Sequence, residues 1–189
     1  MRRRSLLTLA LSAGSAFGAS LVGGQAGFAS ELRGDSPRTG PFRLELVQRQ
    51  RISDGGLGLS EPSGLTLNAD GTALYSVSDE TRAIFRMDLN GRVSASESFP
   101  VSATGLEGIA LSGDGRRLLV VQEETNAVIS IDLASRRELK QSPLAAMANY
   151  AGIAKHFPAR PDNKGLEGIT VNSTNQHVFV VKEGRPGLL

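Results

Sequence analysis

Leu-Glu-Gly-Ile-Ala-Leu, residues 106–111, has two near-copies in the same chain: Pro-Ser-Gly-Leu-Thr-Leu at 62–67 and Leu-Glu-Gly-Ile-Thr-Val at 166–171. Fifteen positions after the Gly of each copy stands an acid: Asp79, Glu123 and Glu183. A phrase that recurs together with its acid is one structural unit copied, and such repetition decides a fold before any local reading does. Gly64 and Gly108 lie 44 residues apart, within the roughly 40–45 of a four-stranded propeller blade. Gly108 and Gly168 lie 60 apart. The surplus falls in residues 142–158 (SPLAAMANYAGIAKHFP), an Ala-rich stretch bounded by prolines, which predicts a short helical insertion on a loop.

Within each unit the strands follow a period of two. In the first, Ser63–Asn68 reads as strand one and Ala73–Ser78 as strand two, joined by an Asp70-Gly71 turn. Ala83–Leu89 is strand three, with Phe85, Met87 and Leu89 on one face, and Arg92–Phe99 follows the Asn90-Gly91 turn as strand four. The second unit repeats this with Asp114-Gly115, Arg117–Gln122 and Ala127–Leu133. Leu118 to Val121 is apolar on both faces, as a strand packed between neighbouring sheets must be. The expected fold is all-β: a partial propeller of antiparallel four-stranded blades, about two and a half of them, at about 60–100, 104–140 and 164–189. Strand three of the third unit would begin at Gly187-Leu188-Leu189. Phe42–Arg51 supplies one further strand before the first unit, and such a strand often completes the last blade of a closed ring. Propellers have about 4–8 blades, so the sequence reads as part of a longer product. An open array pairing with another copy is the alternative, but exposed edges invite aggregation.

Residues 1–29 read as an export signal outside the fold: Arg2-Arg3-Arg4, a mildly apolar stretch from Leu6 to Val22, and small residues at Gly27-Phe28-Ala29. Arg3-Arg4-Ser5-Leu6-Leu7 resembles the twin-arginine motif. An ordinary secretory signal or an uncleaved anchor fits the same residues. Residues 30–41, polar with Gly and two Pro, read as a flexible tether, leaving 42–189 as the folded domain. The chain has no Cys, which excludes structural disulfides and a lipidated N-terminal Cys. The signal holds three Arg and no acid; without it 18 basic residues face 19 acidic, a net charge of −1. No nucleic-acid footprint is present.

Two sets of carboxylates recur. Glu107 and Glu167 directly precede the Gly of strand one, where the first unit has Ser63. Asp79, Glu123 and Glu183 follow strand two, with second acids at Glu80 and Glu124. The start of strand one and the end of its antiparallel neighbour lie at one end of the sheet, so both sets are expected at one mouth of the central channel. Facing carboxylates repel and raise one another's pKa values. A hard cation such as Ca2+ relieves this by taking oxygen ligands; alternatively each carboxylate accepts N–H bonds from the next blade and pins the blades together. The candidate metal ligands are Asp79, Glu107, Glu123, Glu167 and Glu183, with Lys164 and Lys182 near enough to neutralise part of their charge. No catalytic residue stands out. His156 and His177 form no spaced metal pair. There is no nucleophile elbow, phosphate loop or zinc helix, and Ser63 reads as a strand residue without an adjacent base.

Glu61-Pro62-Ser63-Gly64-Leu65-Thr66, Val77-Ser78-Asp79-Glu80, Ala83-Ile84-Phe85 and Asp88-Leu89-Asn90-Gly91 resemble, in that order, the SdiA-regulated family of bacterial propellers. So do Leu106-Glu107-Gly108-Ile109-Ala110, Val121-Gln122-Glu123-Glu124, Asn163 to Gly168 and Val180-Val181-Lys182-Glu183, and the likeness covers about 60–189. The Leu-Glu-Gly-Ile element alone is shared with phytase-like esterases and other calcium-containing propellers. The resemblance implies a six-bladed propeller in the periplasm or on the outer face of the inner membrane. Its expected partners are a small-molecule ligand or a cell-envelope component, with peripheral membrane association open and no nucleic acid. The functional expectation is cation or small-ligand binding at an acidic mouth. The alternative is a calcium-dependent phosphoesterase or lactonase-like hydrolase, whose carboxylates would hold the metal and activate water.

Overall fold

The computed structural model describes residues 6–10, 45–161 and 163–184. They belong to two compact units. β1 (Leu6–Ala10) and β2 (Glu45–Gln50), which apart from Leu6 and Gln50 fall in the unit of residues 7–49, form a two-stranded sheet. β2 is the strand expected before the first repeat. Most of the export segment 1–29, the whole tether 30–41 and the start of a strand at 187–189 lie outside the described residues.

From Gln50 onward the repeat becomes a series of sheets. The first holds β3 (Pro62–Leu67), β4 (Ala73–Ser78), β5 (Ala83–Asp88) and β6 (Val93–Pro100) in that order, all antiparallel. The second repeats the order with β7 (Leu106–Leu111), β8 (Arg117–Gln122), β9 (Ala127–Asp132) and β10 (Arg137–Pro143). The third holds β11 (Leu166–Val171) and β12 (Val178–Lys182). This is a meander in blades, two complete and one begun.

The turns follow from their residues. Gly71, Gly91 and Gly115 take positive φ at the hairpins where Asp-Gly and Asn-Gly stand. The Asp70 carboxylate accepts from Thr72 N, and that of Asp114 from Arg116 N. Leu89 departs from the reading of strand three. It lies one residue past β5, in the turn, and is exposed rather than on the buried face with Phe85 and Met87.

The core lies between sheets. Val77, Ile84 and Phe99 of the first sheet meet Ile109, Leu118, Val120, Ile129 and Ile131 of the second. Val121 and Val128 of the second meet Leu166, Ile169 and Val180 of the third. β8 is buried on both sides because each side faces a neighbour. The free side of the first sheet is covered by the segment before it: Ile52 and Leu59 pack on Leu74, Phe85 and Met87. The expected helical insertion forms two single 3-10 turns, Leu144–Ala146 and Tyr150–Gly152, rather than an α-helix. Leu144 and Phe157 seat it in the second interface, and Asn126 Nδ2 donates to Pro158 O at 2.7 Å.

The three inner strands β3, β7 and β11 stand side by side, and glycine sets how near they come. A Cβ at Gly64 would lie 2.5 Å from the Glu107 carbonyl oxygen and 2.9 Å from Ile109 N. A Cβ at Gly108 would lie 2.8 Å from Glu167 O and 2.9 Å from Gly168 Cα. The recurring Gly therefore permits backbone-to-backbone approach of successive blades.

Glu138 on β10 ties the crossover between the first two sheets. Its carboxylate accepts from Ser102 Oγ at 2.7 Å and from Ala103 N at 3.4 Å, and also from Ser102 N. Glu138→Ala is expected to cost about 1 kcal/mol through the lost charge-assisted bonds, read from the midpoint of a urea melt. Stability unchanged within error would show that this clamp contributes nothing.

Candidate functional site

Each inner strand carries an irregularity at the residue before its Gly. Pairing shifts between Pro62 and Gly64, between Leu106 and Ile109, and between Leu166 and Gly168. A bulge bends the strand and re-aims the extra side chain. Here it aims Ser63, Glu107 and Glu167, one from each sheet. The acid after strand two is fixed by its own backbone. Glu123 N donates to Gly105 O at 3.0 Å, and Glu183 N to Gly165 O at 2.9 Å. Both sets therefore sit where the inner strand starts and the second strand ends.

Three of the five expected ligands come together. Carboxylate oxygens of Glu107, Glu123 and Glu167 lie within 4.8 Å of one another. Glu123 is buried, and the other two are half-buried. Asp79 belongs to a second, more exposed group with Glu61 and Glu80, also within 4.8 Å. It still faces the first group closely enough to act on Glu107 by charge. Glu183 is set apart. Its Oε1 pairs with Lys164 Nζ at 3.0 Å, and its carbonyl accepts from Lys182 Nζ at 3.1 Å. The two lysines expected to soften the whole mouth thus engage this acid. Glu124, beside Glu123, takes bonds from Thr104 Oγ1 and Gln122 Nε2.

Glu123 also does what the blade-pinning reading requires. Its Oε1 accepts from Gly165 N, in the next unit, at 3.3 Å. Ser63 was missed as a site residue. Its hydroxyl donates to Asp79 Oδ1 at 3.4 Å and stands near enough to Glu107 to favour its ionised form. The signal was its alignment with Glu107 and Glu167 in the repeat.

Burial and the facing charges of Glu167 and Asp79, with a smaller share from Glu123, push the Glu107 carboxyl up to about 7; the nearby Ser63 hydroxyl opposes them. The folded protein therefore keeps a proton that the unfolded chain releases near the ordinary 4.5. Where the native state binds more protons, stability falls as pH rises. Without metal, the fold is expected to lose about 1–2 kcal/mol between pH 4.5 and 7.5, after allowance for solvent screening of a half-buried group. Glu107→Gln should flatten that slope in a series of melts against pH. A wild-type slope unchanged by the substitution would contradict the assignment.

The arrangement suits a hard cation. Two oxygens bound to one Ca2+ at 2.3–2.6 Å are at most about 5 Å apart, and the trio satisfies that limit in every pairing.

Repeated antiparallel sheets around touching inner strands, with acids at one end, define a β-propeller with a carboxylate-lined mouth. The family model described as SdiA-regulated matches residues 47–189, and the chain belongs to that family. No curated protein matches it. Among solved structures, Myxococcus xanthus glutaminyl cyclase superposes with a TM-score of 0.57 at 16% identity, over 77% of this chain and 58% of that one. Hydrazine synthase of Kuenenia stuttgartiensis gives 0.44 at 18% identity, over 63% and 28%. The WD40 repeats of RRP9 give 0.44 at 14% identity, over 64% and 32%. The chain thus spans between 28% and 58% of the length of these structures. At such identities the likeness concerns the fold alone.

Proposed function

We propose that this chain is an exported propeller that binds a divalent cation, Ca2+ first, at its acidic mouth. One observation carries the reading: the Glu107, Glu123 and Glu167 carboxylates, drawn from two blades, converge within 4.8 Å. Convergence of like charge costs stability unless protons or a cation offset it. With the cation bound, Glu107 and Glu167 supply oxygens from successive inner strands, and Ser63 offers a hydroxyl at the rim. A small anionic ligand can then complete the coordination shell from the channel side, since Ca2+ takes six to eight oxygens. Export rests on the basic start Arg2-Arg3-Arg4 and the mildly apolar stretch behind it, and it places the site where calcium is plentiful.

The test is a thermal melt of the full chain at pH 7.5 with millimolar Ca2+ and with chelator. A ligand that binds only the native state raises its stability by mass action, so the midpoint is expected to rise with calcium and fall back with chelator. Identical midpoints in both conditions would remove the cation from the mouth.

A further inference from the structure

Two adjacent acids follow β8, and only the first joins the mouth. Glu123 meets Glu107 and Glu167, while the exposed Glu124 lies over Gly105, two residues before Glu107. A Cβ at that Gly, whose φ is positive, would stand 2.8 Å from Glu124 Cδ. The last residue of β8, Gln122, accounts for the division. It is 7% exposed, and every polar position of its amide is engaged. Nε2 donates to Thr104 O at 3.0 Å and to Glu124 Oε2 at 3.3 Å. Oε1 accepts from Thr125 Oγ1 and from Gln141 Nε2, each at 2.7 Å. A side-chain amide has two donor hydrogens and two acceptor lone pairs, so none is left over. One side chain thus ties together the crossover before β7, the turn that carries both acids, and the outer strand β10. Thr104 Oγ1 completes the hold on Glu124, donating to Oε2 at 3.1 Å.

The first unit supplies the contrast. Ser78 takes the place of Gln122 and is 0% exposed. Its short side chain accepts from Glu80 N at 3.3 Å, within the turn. There both acids after strand two cluster, with oxygens of Asp79, Glu80 and Glu61 all within 4.8 Å. In the third unit Lys182 stands at this place, and Gly184 replaces the second acid. The reach of one residue therefore tracks whether the second acid joins the first.

We infer that Gln122 is a positioning residue of the mouth: with Thr104 it holds Glu124 aside, withholds a fourth carboxylate from Glu107, Glu123 and Glu167, and so caps the charge that a cation meets. The inference rests on the cation reading given above. Calcium sites are tuned by the number of charged ligands and by rigidity, and Gln122 acts on both. An added carboxylate attracts an ion in proportion to the ion's charge, so a trivalent ion of calcium's size gains more from Glu124 than calcium does.

Titration calorimetry of the full chain with Ca2+ and with Tb3+, an ion of similar size, tests this. Gln122→Met keeps the length and removes both the donors and the carbonyl acceptor. Its preference for Tb3+ over Ca2+ is expected to rise at least about tenfold over the parent. Adding Glu124→Gln should return the ratio to the parent value. Thr104→Val removes the other donor to Glu124 and leaves the buried amide in place. It should move the ratio the same way by a smaller factor, and it decides the matter alone should Gln122→Met not fold. Loosening of the fold by itself would weaken both ions alike. A ratio unmoved by the substitutions would therefore overturn the inference, as would a rise that survives Glu124→Gln. A parent that binds neither ion would overturn the cation reading and this inference with it, whereas a parent that binds both, with an unmoved ratio in the variants, leaves the cation reading standing.

Discussion

Gly108→Ala is expected to lower the unfolding free energy by about 3 kcal/mol. The new methyl group would sit 2.8 Å from Glu167 O, 2.9 Å from Gly168 Cα and 3.0 Å from Ile169 N. All three are backbone atoms of the next inner strand, so no side chain can swing aside to make room. Relief requires the second and third sheets to separate, which opens the interface of Val121, Leu166 and their neighbours. Overpacking in a dense interior costs typically about 1–3 kcal/mol, and a clash against three main-chain atoms of one strand belongs at the upper end. Gly152→Ala is the control, because nothing lies within 4 Å of a Cβ there; its effect should stay within about 0.5 kcal/mol. Urea melts of both variants measure the difference. Equal stability of the two would mean that the inner strands do not need the glycine contact.

The second large effect concerns the cation. At a calcium concentration about a hundredfold above its dissociation constant, linkage gives about 2.7 kcal/mol of stabilisation. Glu107→Gln with Glu167→Gln is expected to abolish it, since two of the three converging negative charges are gone and a neutral amide oxygen holds Ca2+ far more weakly than a carboxylate. In chelator the same double variant should be more stable than the parent at pH 7.5, because the repulsion that raises the Glu107 pKa is gone. Glu123 separates the two roles of the mouth. Glu123→Ala removes the acceptor for Gly165 N and should destabilise the fold with or without calcium. Melting curves of the three proteins in both conditions decide the matter. If the double variant still responds to calcium as the parent does, the ion binds elsewhere.

Much of this architecture could be read from spacing alone. The strands read from period-two alternation agree with the observed ones to within a residue at nearly every boundary, because Asp70-Gly71, Asn90-Gly91 and Asp114-Gly115 punctuate them. The insertion was locatable from the 60-residue step, but its form was not. Ala-rich composition favours an α-helix, whereas Leu144, Tyr150 and Phe157 are held by the second interface and the chain tightens into 3-10 turns. The site was legible in its residue types and not in its grouping. Glu183 repeats Glu123 in sequence, yet Lys164 draws its carboxylate away, and that choice depends on a side chain nineteen positions upstream. The bulges that aim Glu107 and Glu167 leave no mark beyond the following Gly. Ser63 joined the site through its hydroxyl bond to Asp79 and its nearness to Glu107 of the next sheet, which no single-unit reading of its sequence could supply.

The peptide groups that meet at Gly64, Gly108 and Gly168 fix the gauge of the channel wall by main chain alone. The preceding position in each unit is therefore free to exchange its functional group without shifting its neighbours. Ser at 63 and Glu at 107 and 167 already show two solutions on one frame. Related chains can retune the sign and number of charges at the pore entrance by changing that residue alone, while the frame that presents it stays the same.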